Sequence, residues 1–224
     1  MVAEHLIGAR FRYSLPKAIE REGVMTDYPS DIDPESGNRL PLPKRAELDS
    51  EAQASYDRIV KGGAGAIRGL RGPSGIQLHS STYSKHARPV NYYLRYEAGF
   101  TPRVREIAIL TTARECDSQF EWAAHEPEAL KEGIAPALID VIRNRAPLTG
   151  VDPADATVIA LGREMFSARK VGSATYAAAL KQFGRRALVD LVALMANYAG
   201  TAAILTAFDM QLDPGTKPGL PSLR

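Results

Sequence analysis

Three side chains in the stretch Arg103 to Pro127, RVREIAILTTARECDSQFEWAAHEP, have the chemistry of proton transfer: Glu106, Glu121 and His125. Around them the segment is apolar and Ala-rich at helical spacing, the pattern of a buried helix. Glu121 and His125 stand at i and i+4, one turn apart on one face, where a carboxylate can orient an imidazole or share a proton with it. Glu106 precedes His125 by 19 residues, about 28 Å of rise on an unbroken helix, so a shared site requires a break. Asp117-Ser118-Gln119-Phe120-Glu121 reads as that break, with Ser118 as N-cap and Glu121 at the third position of a capping box. A turn near Glu115 to Asp117 then folds the first helix back and carries Glu106 toward His125.

Each residue also has a purely structural reading. Glu121 can satisfy a backbone donor, Glu106 can pair with Arg105 or Arg103, His125 can be a hydrogen-bonded core histidine, and Trp122 can be core. A Glu–His pair can bind a divalent ion, but no third and fourth ligand stands nearby, so no metal is expected. His79 and His86 reach such a site only through the fold. Cys116, nine residues before His125 and on the far side of the expected cap, has no mark of a low-pKa thiolate.

The elements that must position these groups belong to a chain of 224 residues with 45% hydrophobic and 24% charged residues, enough for a sizeable core. A net charge of +2, with both signs interleaved, makes no electrostatic case for nucleic acid or an anionic membrane. One cysteine excludes an intrachain disulfide and suits a reducing cytosol. No uninterrupted run of about 18 apolar residues is present, so no membrane span is expected. The N-terminus has no continuous apolar core of a secretory signal. A cytoplasmic location is expected.

Residues 1–47 read as an N-terminal arm, with a short helix around Leu15 to Arg21 and then a Pro/Asp/Ser-rich extended segment. Glu4, Glu20 and Glu22 argue against a transit peptide. Two readings of the arm stay open: it wraps a neighbouring subunit, or the chain's start is Met25. From Asp49 a helix runs through Tyr56, Ile59 and Val60 to Gly62-Gly63. KGGAGAIRGLRGPSG has neither the preceding strand nor the Gly-Lys-Ser/Thr of a phosphate loop and reads as an inter-helix loop or lid. Ile76 to Tyr83 leads into a helix from about Lys85 to Gly99, with Val90, Tyr93 and Leu94 at core spacing. Thr101 and Pro102 start the central helix, and Pro136 opens one ending near Arg143. APLTGVDPAD is a linker, followed by helices at about 153–168, 173–184 and 185–208. No alternating run suggests a strand. The expectation is an all-α, multi-helical domain over 48–214, with a tail over 215–224. An echo at an offset of 84 residues lays Glu106 over Asp190 and His125 over Asp209, a possible duplication of a helical unit.

Arg105-Glu106, the Ala-rich run, Glu121-Trp122-x-x-His125 and Glu126-Pro127-x-Ala129-x-x-x-Gly133 together resemble the carboxymuconolactone decarboxylase family, which includes the alkylhydroperoxidase-like proteins. The likeness extends from about Leu48 to Pro214 and takes in RGPSGIQLHS. It implies an all-α fold assembled as a trimer or hexamer, with the site near a subunit interface. The peroxidase branch has a glutamate, a Cys-x-x-Cys pair and a histidine. Here Ser118 and Glu121 stand where those cysteines would be, and a serine does no thiol–disulfide exchange. The decarboxylase branch is similar in having a glutamate where Glu121 stands.

That resemblance implies a cofactor-independent enzyme of aromatic-compound catabolism that removes CO2 from a carboxylated lactone or a related small organic acid. His125, with Glu121 and Glu106, would protonate the dienolate. Arg71 or Arg105 would hold the carboxylate, and Trp122, Tyr92, Tyr93 and His79 would wall the substrate pocket. The alternatives are an antioxidant protein of the alkylhydroperoxidase or peroxiredoxin type and a non-catalytic oligomeric ligand-binding module. The expected partners are a small-molecule substrate and copies of the chain itself.

Overall fold

The computed structural model describes residues 28–62 and 67–221, and the helix expected around Leu15 to Arg21 lies outside them. The described residues are all-α, with eight α-helices and no strands. The first four are α1 (Ser50–Val60), α2 (Pro73–Leu78), α3 (Ser81–Tyr92) and α4 (Pro102–Glu115). They are followed by α5 (Gln119–Lys131), α6 (Pro136–Arg143), α7 (Pro153–Arg163) and α8 (Ser173–Ala207). Asp49 caps α1 by accepting from the amides of Glu51 and Ala52, and Thr101 caps α4 by accepting from that of Val104, the roles their types predict.

Helix α4 is the axis of the fold. Every residue from Glu106 to Arg114 is buried, because α5, α6, α7 and α8 all pack against it. A helix enclosed by its neighbours over this stretch exposes no face to solvent, so the polar groups it carries there must find partners inside. Ile107, Ile109 and Leu110 are fully buried, each contributing about 1.5–3 kcal/mol relative to exposure. Close approach is permitted by Gly162 on α7, where a Cβ would lie 2.7 Å from Cγ2 of Thr111 on α4.

Helix α8 is interrupted at Gly184, whose backbone (φ 71°, ψ 175°) is non-helical, so the two helices expected on either side of that position are present. By length and composition α8 is apolar enough to cross a membrane, with 39% of its most apolar window buried. A core helix of a soluble protein meets the same measure. Its buried side, Leu191, Leu194, Met195, Tyr198, Ala202 and Leu205, serves the core.

One expectation on α3 is corrected. Val90 is 52% exposed rather than core. Pro89 lies inside the helix, and a π-helical turn over Tyr93–Glu97 follows. Its wider ring, closed by the Ala98 amide on the Tyr93 carbonyl at 2.9 Å, shifts the buried face to Leu94 and Arg95. Such single π-turns recur where a helix must re-aim a side chain.

Gly162→Ala should destabilise the protein by about 1–3 kcal/mol, the usual cost of overpacking a dense core. Thr111→Ser, which deletes the obstructing methyl, should recover part of that loss. Chemical denaturation of the two variants and their combination measures it, and additive losses would contradict the contact.

Candidate functional site

The break that makes the site lies between α4 and α5, where it was expected, but its chemistry differs. Asp117 adopts the left-handed conformation (φ 51°). The Ser118 amide donates to the Ala113 carbonyl at 2.8 Å and the Asp117 amide to that of Arg114 at 3.1 Å. These two bonds form a Schellman closure of α4, with Asp rather than Gly at the left-handed position. Ser118 is the N-cap of α5, yet its side chain makes no capping bond. The capping box is therefore absent. Glu121, released from the helix end, turns inward.

Folding α5 back on α4 brings the three proton-transfer groups together. Nδ1 of His125 lies 2.8 Å from Oε2 of Glu106, and its Nε2 lies 3.7 Å from Oε2 of Glu121. Nε of Arg105 donates to the other Glu106 oxygen at 2.9 Å. All three relay side chains are buried. With Glu106 accepting at Nδ1, the imidazole presents Nε2 to Glu121 and the space beyond.

The two carboxyls are driven apart by their surroundings. Burial works to raise Glu106, but the hydrogen bonds and charges of His125 and Arg105 outweigh it and hold the group below the usual carboxylate range. Burial raises Glu121, and the opposing charges of His125 and Arg95 do not cancel it. One acid is thus kept ionised and the other is biased toward its protonated form, the division of labour expected of an acid–base site.

Glu121 and His125 open onto a cavity of about 850 Å³, with Ala124, Arg95 and Tyr198 beside them. The edge of the His125 ring meets the Tyr198 ring at 5.2 Å. Burial raises the Tyr198 phenol and keeps it protonated. Arg95 is 6% exposed, and among the described residues its Nε has no hydrogen-bond partner. Burial opposes its charge, but the acidic groups around it, the ionised Glu106 among them, outweigh that and raise its pKa. No carboxylate forms an ion pair with Arg95 among the described residues. A buried guanidinium without an acceptor, at the wall of a cavity, is a seat for an anion.

The other expected site residues are placed as follows. Arg105 is occupied by Glu106 and donates to the Arg95 carbonyl at 3.3 Å, behind the relay. Arg71 lines the cavity, but its guanidinium is held by Asp213 at 2.6 Å and by the Tyr28 hydroxyl at 2.7 Å. Tyr92 lines the cavity and is exposed to solvent. Tyr93 instead donates to Asp190 at 3.1 Å. Trp122 is fully buried and donates to Glu126 at 2.8 Å. His79 lies 2.9 Å from the Pro41 carbonyl, in a separate hollow of about 290 Å³.

Arg95 and Tyr198 were not legible as site residues. A helical wheel through Tyr93 and Leu94 leaves Arg95 on the surface, and only the π-turn brings it inside. Among the described residues no group of three or more His, Cys, Asp and Glu side chains is arranged to hold a metal ion. No family model and no curated protein matches the chain.

The pH dependence of stability follows from Glu121. Its folded-state pKa is raised above 4.5, so its contribution is fully present below the unfolded pKa and is lost as pH rises through the folded one. Glu121→Gln, which cannot ionise, should therefore gain on the parent as pH goes from about 4 to about 8. Denaturant midpoints across that range test this, and a pH-independent difference would contradict it.

Proposed function

We propose that the protein is a cofactor-independent decarboxylase-like enzyme that acts on a carboxylated lactone or a related small organic acid by acid–base chemistry. The observation that carries this reading is the buried Arg95, without an ion-pair partner among the described residues, on the wall of the cavity that Glu121 and His125 of the Glu106–His125–Glu121 relay also line. In such a reaction the bond from the ring carbon to the carboxylate carbon breaks, and CO2 leaves. The electron pair moves through the conjugated double bond to the lactone carbonyl, giving a dienolate. Nε2 of His125 delivers a proton to carbon, and Glu121, biased toward its protonated form, resupplies it from solvent. Arg95 takes the substrate's negative charge, first on the carboxylate and then on the dienolate oxygen, where a preorganised cation counts most. The Tyr198 hydroxyl is a second donor to the same oxygen.

Thiol peroxidase chemistry has no support at Cys116. Burial and the neighbouring Glu115 push its thiol up, away from the thiolate that such a reaction needs. The proposal includes a homo-oligomer, trimer or hexamer, and exposed Val90, Tyr92 and Tyr96 are apolar surface that a neighbouring copy would cover.

Purified protein should release CO2 from a γ-carboxylated butenolide. His125→Ala should lower the rate by about 10²- to 10⁴-fold, and Arg95→Gln should lower kcat/KM by about 10²-fold or more. Cys116→Ser should match the parent. Absence of CO2 release by folded protein across such lactones would refute the proposal.

A further inference from the structure

We infer that the cavity holds a second anion subsite, formed by Arg58 on α1 and Arg88 on α3, and that the substrate is an elongated dianion with a carboxylate or phosphate at its far end. The inference rests on the reading that Arg95 receives the reacting end.

The cations around the cavity divide into two groups. Arg68 and Arg71 line it but are both paired with Asp213, and Lys85 is paired with Glu51 at 3.0 Å. Arg58, Arg88 and Arg95 line the same space, and none has a carboxylate partner among the described residues. Among the described residues Arg58 donates only to the Ser55 hydroxyl of its own helix, at 3.1 Å. Arg88 is half-buried, and burial and the like charge of Arg58 both press its pKa down. The exposed Arg58 and the half-buried Arg88 line the cavity with no acid paired to either among the described residues, and a bound anion offsets the repulsion of like charges so placed. One turn before Arg88, Ser84 borders the same cavity, and its buried hydroxyl has no hydrogen-bond partner among the described residues.

The spacing sets the ligand's length. Arg88 on α3 and Arg95 in the π-turn that continues it are seven residues apart, a rise of about 10 Å, and both line the cavity. Asn91 lies between them on the cavity wall, fixed by the Asn197 amide at 3.0 Å. A ligand that meets both guanidiniums would carry its far anion on an extension of the reacting lactone or acid. The volume of about 850 Å³ likewise suits a drug-sized molecule.

Isothermal titration with sebacate, its monomethyl ester and succinate tests the subsite without turnover. Sebacate should bind about tenfold or more tightly than either. Arg58→Gln/Arg88→Gln should reduce that preference to about twofold or less, while Arg95→Gln should weaken sebacate and monoester alike. Tighter binding of the ω-phosphonate analogue than of sebacate would assign the far end to phosphate, and the reverse order would assign it to carboxylate; either supports the subsite. No preference in the parent, or an undiminished one in the folded double variant, overturns it. Dianion preference without CO2 release from any lactone would refute the proposed reaction and leave the subsite standing. CO2 release without dianion preference would do the opposite.

Discussion

The hydrogen bond between Glu106 and His125 is the constraint on which the remaining structure depends. A carboxylate fully buried on the central helix is costly unless its charge is met. Here both oxygens are occupied, one by the imidazole and one by Arg105. To supply that imidazole the chain must reverse within three residues after Glu115. The left-handed Asp117 and the two Schellman bonds make the reversal while pairing the Ala113 and Arg114 carbonyls at the helix end. The placement of α5, and with it Glu121, follows from this turn.

The site shows why two acids so near one imidazole behave differently. Glu106 sits behind the ring, with two cationic or proton-donating partners. Glu121 sits in front, at the cavity wall, with burial as its dominant influence. The same asymmetry orients the ring. Its back is tied to the core and its front faces the space where a ligand would lie. Arg95 and Tyr198 line the same space, one a guanidinium without an ion-pair partner among the described residues and the other a phenol held protonated by burial. The protein tolerates an unpaired buried guanidinium there, an arrangement that serves binding better than stability.

The outer walls are built for rigidity. Asp213, after α8, gathers Arg68 and Arg71 from the segment before α2. Tyr28 donates to the Leu212 carbonyl at 3.0 Å, and the Gln211 amide donates to the Gly37 carbonyl at 2.8 Å. The two ends of the described chain are thus sewn together beside the cavity. Behind the relay, Gln119 holds Leu220 through both backbone groups, at 2.8 and 3.0 Å. Gly219 crosses Trp122 where a side chain would collide with the indole.

Much of this was legible in the residues alone. Period, caps and breakers determined the all-α class, the start of α4 at Thr101-Pro102, the stop before Ser118, the extent of α6 and the division of α8 at Gly184, because each is a local preference of a few residues. The i, i+4 relation of Glu121 and His125, and the need for a break before Glu106 could join them, are helix geometry and also local. Tertiary structure decided the rest. It showed that Asp117, not a capping box, makes the turn, since a left-handed residue and a capping side chain fit the same short string. It committed Arg71 and Arg105 to other carboxylates, which depends on where distant acids arrive. It brought Arg95 inside through a π-turn, a one-residue change of helical register that no periodicity reveals, and set Tyr198 against His125 from a helix some seventy residues away.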